Sequence, residues 1–529
     1  MAVGGAPGVY IEEQVSGSMP LQGVGTSVAA FVGFTERYDA AQGDDSDPEG
    51  IKPQLVTSWP QYERIYGGFA PGIMLPHAVH GFFANGGSAC YVVRIPVRSV
   101  RPARRSLPAT GREEADSLVI EAREPGAPVE VTVVHEPPAV EGEAPQEFSL
   151  TVDRAGGQTE TYPRLTFGTG KGTSAAVRTI NERSTLIRVE ARTVAGLSPA
   201  ERIPAAGTYL VEPAPSAATA TTGDLAGSET ERTGYHGLAI AEEVSIVAIP
   251  DLVTVVRRPD GGIDQTAYLE AQARLLDWCE QRRTTMAVLD LPPGLTAQQA
   301  LEWRDRLKHD TAFGAAYYPH LIVANPNARP GSTAADRYLR IPPSGHVAGV
   351  WARTDGARGV WKAPANEALR GVARLETEVT TGEQDLLNPS QINCLRSFGA
   401  NGMRVWGART LASQDQAWRY INVRRLFIYV EETIRQGTQW CVFEPNDEAL
   451  WGRAKRTIGA FLHQLWMRGA LVGASPEQAF FVTCDETNNP PGSVDNGLLV
   501  VDVGLAPVKP AEYVIFRISQ WQGGVATAE

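Results

Sequence analysis

The hydrophobic pattern of the chain changes period several times, and those changes predict its elements. Unbroken apolar runs at 27–33 and 89–95 read as buried strands, and a helical period at 76–85 precedes the second of them. From 244 the order repeats, with an apolar run at 244–249 and a helix over 266–282 that buries Leu269, Leu276 and Cys279. A strand at 285–289 follows, then a helix to about 308 opened by a Thr296/Gln299 capping box, then a strand at 317–323. Strand and helix in alternation imply parallel pairing with right-handed crossovers. Further along, the pattern predicts a strand at 402–410 and a capping box at Ser413 and Gln416 before an amphipathic stretch to about 436. A long helix over 447–469 places Trp451, Ala454, Ile458, Phe461, Leu462 and Leu465 on one face. Strands at 480–483 and 498–505 end the series.

Between 101 and 232 the pattern differs. Short alternating segments at 117–121, 129–134, 148–152 and 185–189, with one or two helical turns at 174–181, predict a small β-rich domain inserted into the α/β body. The Ala/Thr/Ser/Gly-rich stretch 213–227 reads as a flexible exit linker. Two extended segments, 9–13 and 513–518, have no neighbour in sequence to pair with. An isolated strand cannot satisfy its own backbone groups, so each must join a sheet, either this chain's own or another's.

Composition narrows the classes. Of 529 residues, 48 are Lys or Arg and 60 are Asp or Glu, and a net charge of −12 argues against generic nucleic-acid binding. Five scattered cysteines without a Cys-x-x-Cys pair favour neither a disulfide framework nor a zinc site. No apolar window approaches a membrane span, and residues 1–10 lack a secretory leader pattern, so folding in the cytoplasm is expected.

Candidate chemistry concentrates in 342–366. Ser344, His346 and Asp355 invite a reading as nucleophile, base and orienter. Elsewhere, Gly168-Thr169-Gly170-Lys171-Gly172-Thr173-Ser174 lacks the hydroxyl residue directly after lysine that a phosphate loop needs, so a plain loop is favoured. His77 and His80 share a helix face without a carboxylate motif to complete a metal site. Asp251 and Asp290 end buried strands, where acids either catalyse or cap helices.

The stretch Ser344-Gly345-His346-Val347-Ala348-Gly349-Val350-Trp351-Ala352-Arg353-Thr354-Asp355, with Gly359-Val360-Trp361-Lys362-Ala363-Pro364-Ala365-Asn366, resembles the hallmark of contractile tail sheath proteins. That family includes phage sheaths, R-type tailocins and phage-tail-like contractile injection systems. The resemblance continues in Leu387-Asn388-Pro389, Val405-Trp406-Gly407-Ala408-Arg409-Thr410-Leu411 and Trp418-Arg419-Tyr420-Ile421-Asn422-Val423-Arg424-Arg425-Leu426, and at the N-terminus in Gly8-Val9-Tyr10-Ile11-Glu12-Glu13. Ser344, Gly345, His346, Gly349, Arg353, Asp355, Trp361, Pro364 and Asn366 are then structural signature residues. Their glycines and Pro342 are expected to punctuate short extended pieces, with His346, Arg353 and Asp355 satisfying one another or nearby backbone.

The resemblance implies an α/β core of subtilisin-like sheath fold, mainly a parallel sheet with flanking helices, with an inserted β-rich domain, an α+β C-terminal domain and extended terminal β-arms. The divisions expected are 1–20 (N-terminal arm), 21–100 and 233–390 (core), 101–232 (variable outer insertion), 391–508 (C-terminal inner domain) and 509–529 (C-terminal arm). It implies a structural subunit that forms hexameric rings stacked helically around an inner tube and contracts to drive that tube. Baseplate and tail-terminator or cap proteins are further partners, with no cofactor, no metal, and no direct contact with nucleic acid or membrane. Assembly would occur in the cytoplasm, and the product would be part of a phage-tail-like particle. Val9, Tyr10, Ile11 and Glu12 at one end, and Tyr513, Val514, Ile515, Phe516, Arg517 and Ile518 at the other, match the family's inter-subunit arms, with 16–25 and 505–510 as flexible flanks. Residues 394–470 carry eleven Arg/Lys against six Asp/Glu, whereas 101–232 carry fourteen against nineteen. Arg453, Arg456 and His463, opposite the apolar stripe of the long helix, are therefore candidate contacts to an acidic tube, the alternative being a solvated face. A subtilisin-like hydrolase and another self-assembling shell protein remain as alternative readings, although no Gly-Thr-Ser or His-Gly-Thr motif accompanies the fold.

Overall fold

The computed structural model describes residues 21–39, 41–43, 47, 50–95, 103–123, 129–138, 144–154, 158–167, 175–192, 197–211, 220–258, 261–328 and 337–515. At its centre is a nine-stranded sheet. From one edge the order is Glu367–Ala368, Met403–Val405, Ile392–Ser397, Gly314–Tyr318, Met286–Asp290, Ile246–Ala248, Ala29–Gly33, Cys90–Arg94 and Gln54–Val56. The six strands from Ile392–Ser397 to Cys90–Arg94 are parallel, and the strands beyond them at both edges are antiparallel. Ala29–Gly33, Ile246–Ala248, Met286–Asp290 and Gly314–Tyr318 are buried at every position. That is why they read as unbroken apolar runs rather than alternating ones.

The expected 317–323 strand is two: Gly314–Tyr318 in the main sheet and Leu321–Ala324 in a small antiparallel one. Helices Gln265–Arg282 and Ala297–Leu307 lie where the pattern put them, the second with its Thr296/Gln299 capping box formed. The box expected at Ser413 and Gln416 is absent. Ser413 instead donates to Asp310 and receives no helix N–H, and the helix starts eight residues later as Ile421–Gly437. The 402–410 strand shrinks to Met403–Val405.

The larger correction concerns the 342–359 stretch. It is one helix, Ser344–Arg358, not a set of extended pieces. Glycine's low helix propensity argues for breaks here, but tertiary packing outweighs it.

The inserted block has its own hydrophobic core, distinct from that of the α/β body. It holds an antiparallel sheet in the order Gly207–Val211, Val129–His135, Phe148–Arg154, Gln158–Leu165 and a second in the order Arg104–Ala109, Arg112–Ala122, Ile187–Ala191, with helix Ala175–Arg183 alongside. Of the expected linker 213–227, residues 213–219 lie outside the described residues and Thr222–Ala226 is a capped helical turn. After the sheet, Ile421–Gly437 and Glu448–Met467 pack through Leu426, Val430, Phe461 and Leu465, and Phe480–Thr483 pairs with Asp502–Leu505 as a hairpin.

Candidate assembly site at the two chain ends

The signature helix Ser344–Arg358 crosses helix Leu75–Ala84 closely. A Cβ on Gly345 would come within 2.3 Å of the Ala78 backbone, and one on Gly349 within 2.5 Å of the Phe82 carbonyl. These glycines, four apart on one helix face, let two backbones touch. Two strand-end aspartates close the N-termini of the same helices. Asp251 accepts from the backbone N–H groups of Phe34 (2.8 Å), Met74 (2.5 Å) and Leu75 (3.1 Å), and Asp290 from that of Ser344 (2.8 Å). Burial pushes their carboxyls up to about 6 and about 7, against the pull of those donors. Both aspartates cap helices, the second of the two roles their position allowed.

Ser344, His346 and Asp355 do not form a triad. They lie two and eleven residues apart on one helix, and the Asp355 carboxylate belongs to another partner. Arg425 from helix Ile421–Gly437 meets it at 2.6 and 2.8 Å, Thr26 donates to it at 2.7 Å, and the guanidinium lies 4.8 Å above the Trp351 ring. Burial outweighs that cation and leaves the Asp355 carboxyl above its usual range. Arg353 donates instead to the carbonyls of Asn85 and Ala368, and His346 sits against Gly81 with Nδ1 unpartnered. Trp361 and Asn366 line a groove, while Pro364 is buried beside it.

Helix Ile421–Gly437 carries the roots of both chain ends. At its C-terminal end Leu21 packs where a Cβ on Gly437 would lie only 2.0 Å from it, and Val24 N–H donates to Thr433 at 3.3 Å. At its N-terminal end Asn422 donates to the Val508 carbonyl at 3.0 Å. The strand Asp502–Leu505 continues as a tied segment: Ala506 N–H donates to Ala479, Val508 N–H to Ala470, and Arg409 grips Glu512 through bonds of 2.9 and 2.5 Å. Tyr420 adds a third bond to Glu512. Burial alone would raise the Glu512 carboxyl, but Arg409 more than reverses it and holds it below the usual range. The two roots are thus separated by about fifteen helical residues, roughly 23 Å at 1.5 Å per residue.

These ties correct the expected flexible flanks. Residues 21–24 and 505–512 are fastened to the body, and residues 16–20 lie outside the described residues. Beyond Glu512, Tyr513, Val514 and Ile515 are 71%, 69% and 80% exposed, belong to no helix or strand and have no ladder partner among the described residues. Val9, Tyr10, Ile11 and Glu12, and Phe516, Arg517 and Ile518, lie outside the described residues.

On helix Glu448–Met467 the predicted apolar stripe is buried throughout. Arg456 and His463 are exposed, but Arg453 is held by Glu444 at 3.0 Å and lies over the Trp440 ring. His77 is buried against Phe69, and His80, exposed, meets Trp59 edge to face. His309 lies 3.7 and 3.8 Å from Asp277 and Glu280. The glycine-rich loop 168–174 lies outside the described residues. Sequence reasoning quoted Arg409 and Arg425 within motifs but did not find their roles, because nothing local marks a partner 70 or 103 residues away.

The catalytic-looking residues are thus committed to packing, and the segments 21–24 and 506–508 are both rooted on or beside one helix. Two family models match in tandem: the phage tail sheath protein central domain over 247–411 and the phage tail sheath C-terminal domain over 413–520, together just over half of the chain. The chain belongs to the phage tail sheath family. It is 31% identical over 182 residues to the tail sheath protein of Vibrio phage KVP40, covering 34% of this chain and 26% of that protein. It is 25% identical over 261 residues to a putative prophage major tail sheath protein of Pseudomonas aeruginosa, covering 48% of this chain and 63% of that one. The chain thus spans between about a quarter and two thirds of these relatives' length. Its fold is similar to the helical sheath of the anti-feeding prophage in the contracted state, with a TM-score of 0.55 at 24% identity over 98% of this chain and 100% of that one.

Proposed function

We propose that the chain is the subunit of a contractile sheath, a structural protein that polymerises as hexameric rings stacked helically around an inner tube and shortens to drive the tube forward. The observation that carries this reading is the pair of rooted chain ends: each is fastened to helix Ile421–Gly437, and the C-terminal one continues as an exposed segment outside any strand or helix. Added to sheets of neighbouring subunits, such arms link rings while the rigid bodies between them rotate. The parallel sheet with flanking helices supports the subtilisin-like description, and the insertion 101–232, with its separate core, suits an outward-facing domain. Tube protein, baseplate and terminator proteins are its partners in this reading, assembly taking place in the cytoplasm before the particle acts.

Deletion of residues 1–15 tests it. The truncated protein is expected to give the circular dichroism and melting profile of a folded monomer, yet no tubes by negative-stain microscopy. Full-length tubes from it overturn the arm reading.

A further inference from the structure

We propose that Asp277, Glu280 and His309 bind a late first-row divalent cation of the zinc class, and so clamp the ends of two helices that flank the central sheet. The proposal stands apart from the chain ends, and its failure would leave the sheath reading untouched.

Asp277 and Glu280 are three residues apart on helix Gln265–Arg282, so both side chains leave the same face. His309 stands just beyond helix Ala297–Leu307, after the chain turns at Lys308 with φ +48°. Nothing in the sequence pattern joins the two acids to a histidine on another element, with strand Met286–Asp290 and a whole helix between them in the chain. Folding brings the three together. His309 Nε2 lies 3.7 Å from Asp277 Oδ1 and 3.8 Å from Glu280 Oε1. One ligand atom from each residue falls within 4.8 Å of the other two.

That spacing is too wide for hydrogen bonds, which need about 2.7–3.2 Å between N and O. The imidazole nitrogen is instead nearly equidistant from two carboxylates and bonded to neither, which suits a small ion held among all three. A zinc ion bound at about 2.0–2.2 Å holds tetrahedral N and O ligands roughly 3.4 Å apart, so each edge to His309 has to close by only about 0.4 Å. The edge between the carboxylates is at most 4.8 Å. Rotation of exposed carboxylates about their broad terminal torsions closes the rest.

Electrostatics favour a cation at the same point. Among the described residues, no lysine or arginine comes within ion-pair distance of either carboxylate, and His309 is their one basic partner. Arg283 and Lys308, which cap the two helices, are no exception. Glu280 stands in the last turn of its helix and His309 follows the C-terminus of the other, where the helix dipoles are negative.

The donors choose the ion. One imidazole and two carboxylates suit zinc and its late first-row neighbours, whereas calcium and magnesium prefer oxygen ligands alone. Asp277 is exposed and Glu280 and His309 are half-buried, so the fourth coordination position is open to water. An ion held there joins the end of one helix to the loop entering strand Gly314–Tyr318, and it stabilises the folded body by binding it in preference to the unfolded chain.

The test uses the untagged full-length chain and zinc alone, with binding followed by competition against a chromophoric zinc indicator. One strong site per chain is expected, at least about tenfold tighter than in His309→Ala or in the Asp277→Asn, Glu280→Gln double variant. At about a hundredfold excess over its dissociation constant, zinc should raise the parent's melting temperature by about 2 °C and leave both variants unmoved. In chelator the variants should melt with the parent, so that lost binding is not lost folding. A variant that melts lower is replaced by Glu280→Gln alone, for which the tenfold loss is still required. Cobalt in place of zinc should give d–d absorption without a thiolate charge-transfer band. Equal zinc affinity in parent and variants overturns the proposal, as does a thiolate band, which would place the ion on a cysteine. Displacement of zinc by calcium or magnesium at equal concentration would reduce the cluster to a diffuse acidic patch and overturn it too.

Discussion

His346 shows at the scale of one residue how a signature position can serve the fold rather than a reaction. Its ring lies against Gly81 and faces His77 and His80, and burial, with the fields of those two histidines, holds it down at about 3. Its folded value is below the unfolded one, near 6.5, so the unfolded chain takes up the proton first. The stability contributed by the neutral ring is therefore complete above pH 6.5 and lost as pH falls towards 3. Between pH 7 and pH 5 that loss is about 2 kcal/mol, from 1.36 kcal/mol per unit below 6.5. Asp290 and Asp251, raised to about 7 and about 6, act in the opposite sense: the folded chain binds their protons first, so they add stability as pH falls through those values. His77 and His320, held down at about 4 mainly by burial, act in the same sense as His346, so the whole chain's pH curve mixes opposed groups and a variant isolates this histidine. His346→Phe should lose about 2 kcal/mol less than the parent between pH 7 and pH 5 in urea titrations. Parallel curves for parent and variant would show that the ring protonates in place.

At the scale of elements, the contact between Ser344–Arg358 and Leu75–Ala84 sets the geometry of the signature region. Gly345→Ala or Gly349→Ala forces a methyl into backbone 2.3 to 2.5 Å away, which cannot yield as a side-chain tip can. Each should cost about 1–3 kcal/mol of unfolding free energy, the range for overpacking. Gly356, on the same helix, has nothing within 4 Å of a built Cβ, so Gly356→Ala should stabilise by up to about 1 kcal/mol through helix propensity. Equal effects at the three sites, read as shifts in urea midpoint, would refute close packing as the reason for the glycines. The same helix shows where sequence reading stops. The buried parallel strands and the stripe on Glu448–Met467 were legible because burial imposes an apolar period. Ser344–Arg358 was not, since a helix buried on nearly all sides has almost no amphipathic period to read. The spacing of Gly345 and Gly349 held the missing clue. The unpaired ends could be read from composition. Their roots could not, because Asp355–Arg425 and Arg409–Glu512 are pairings of distant charges that only the folded chain brings together.

At the scale of the whole molecule, charge is divided: residues 394–470 carry a surplus of five positive residues, whereas the insertion 101–232 is acidic. Within the surplus the structure separates charges spent on the fold from charges left over. Arg409, Arg425 and Arg453 are bound to Glu512, Asp355 and Glu444, so the first and second hold the body together and the third serves its own loop. Lys455 and Arg456 on the outer face of Glu448–Met467 remain exposed, with His463 two turns along. On the proposed sheath reading, a contact to an acidic tube through these groups would contribute about 0–1 kcal/mol per pair, weak enough to release and strong enough when repeated around a ring. Reversal of both charges, Lys455→Glu with Arg456→Glu, should leave sheath polymerisation intact and reduce co-sedimentation with an acidic tube at least about fivefold. Because exposed pairs are screened within a Debye length of about 8 Å at physiological salt, the parent protein in about 0.5 M salt should fall towards the variant's level. Arg453→Ala, by contrast, should alter the loop at Glu444 and leave coupling to the tube unchanged. Undiminished co-assembly by the double variant would mean that the exposed face of this helix is solvated rather than turned to the tube.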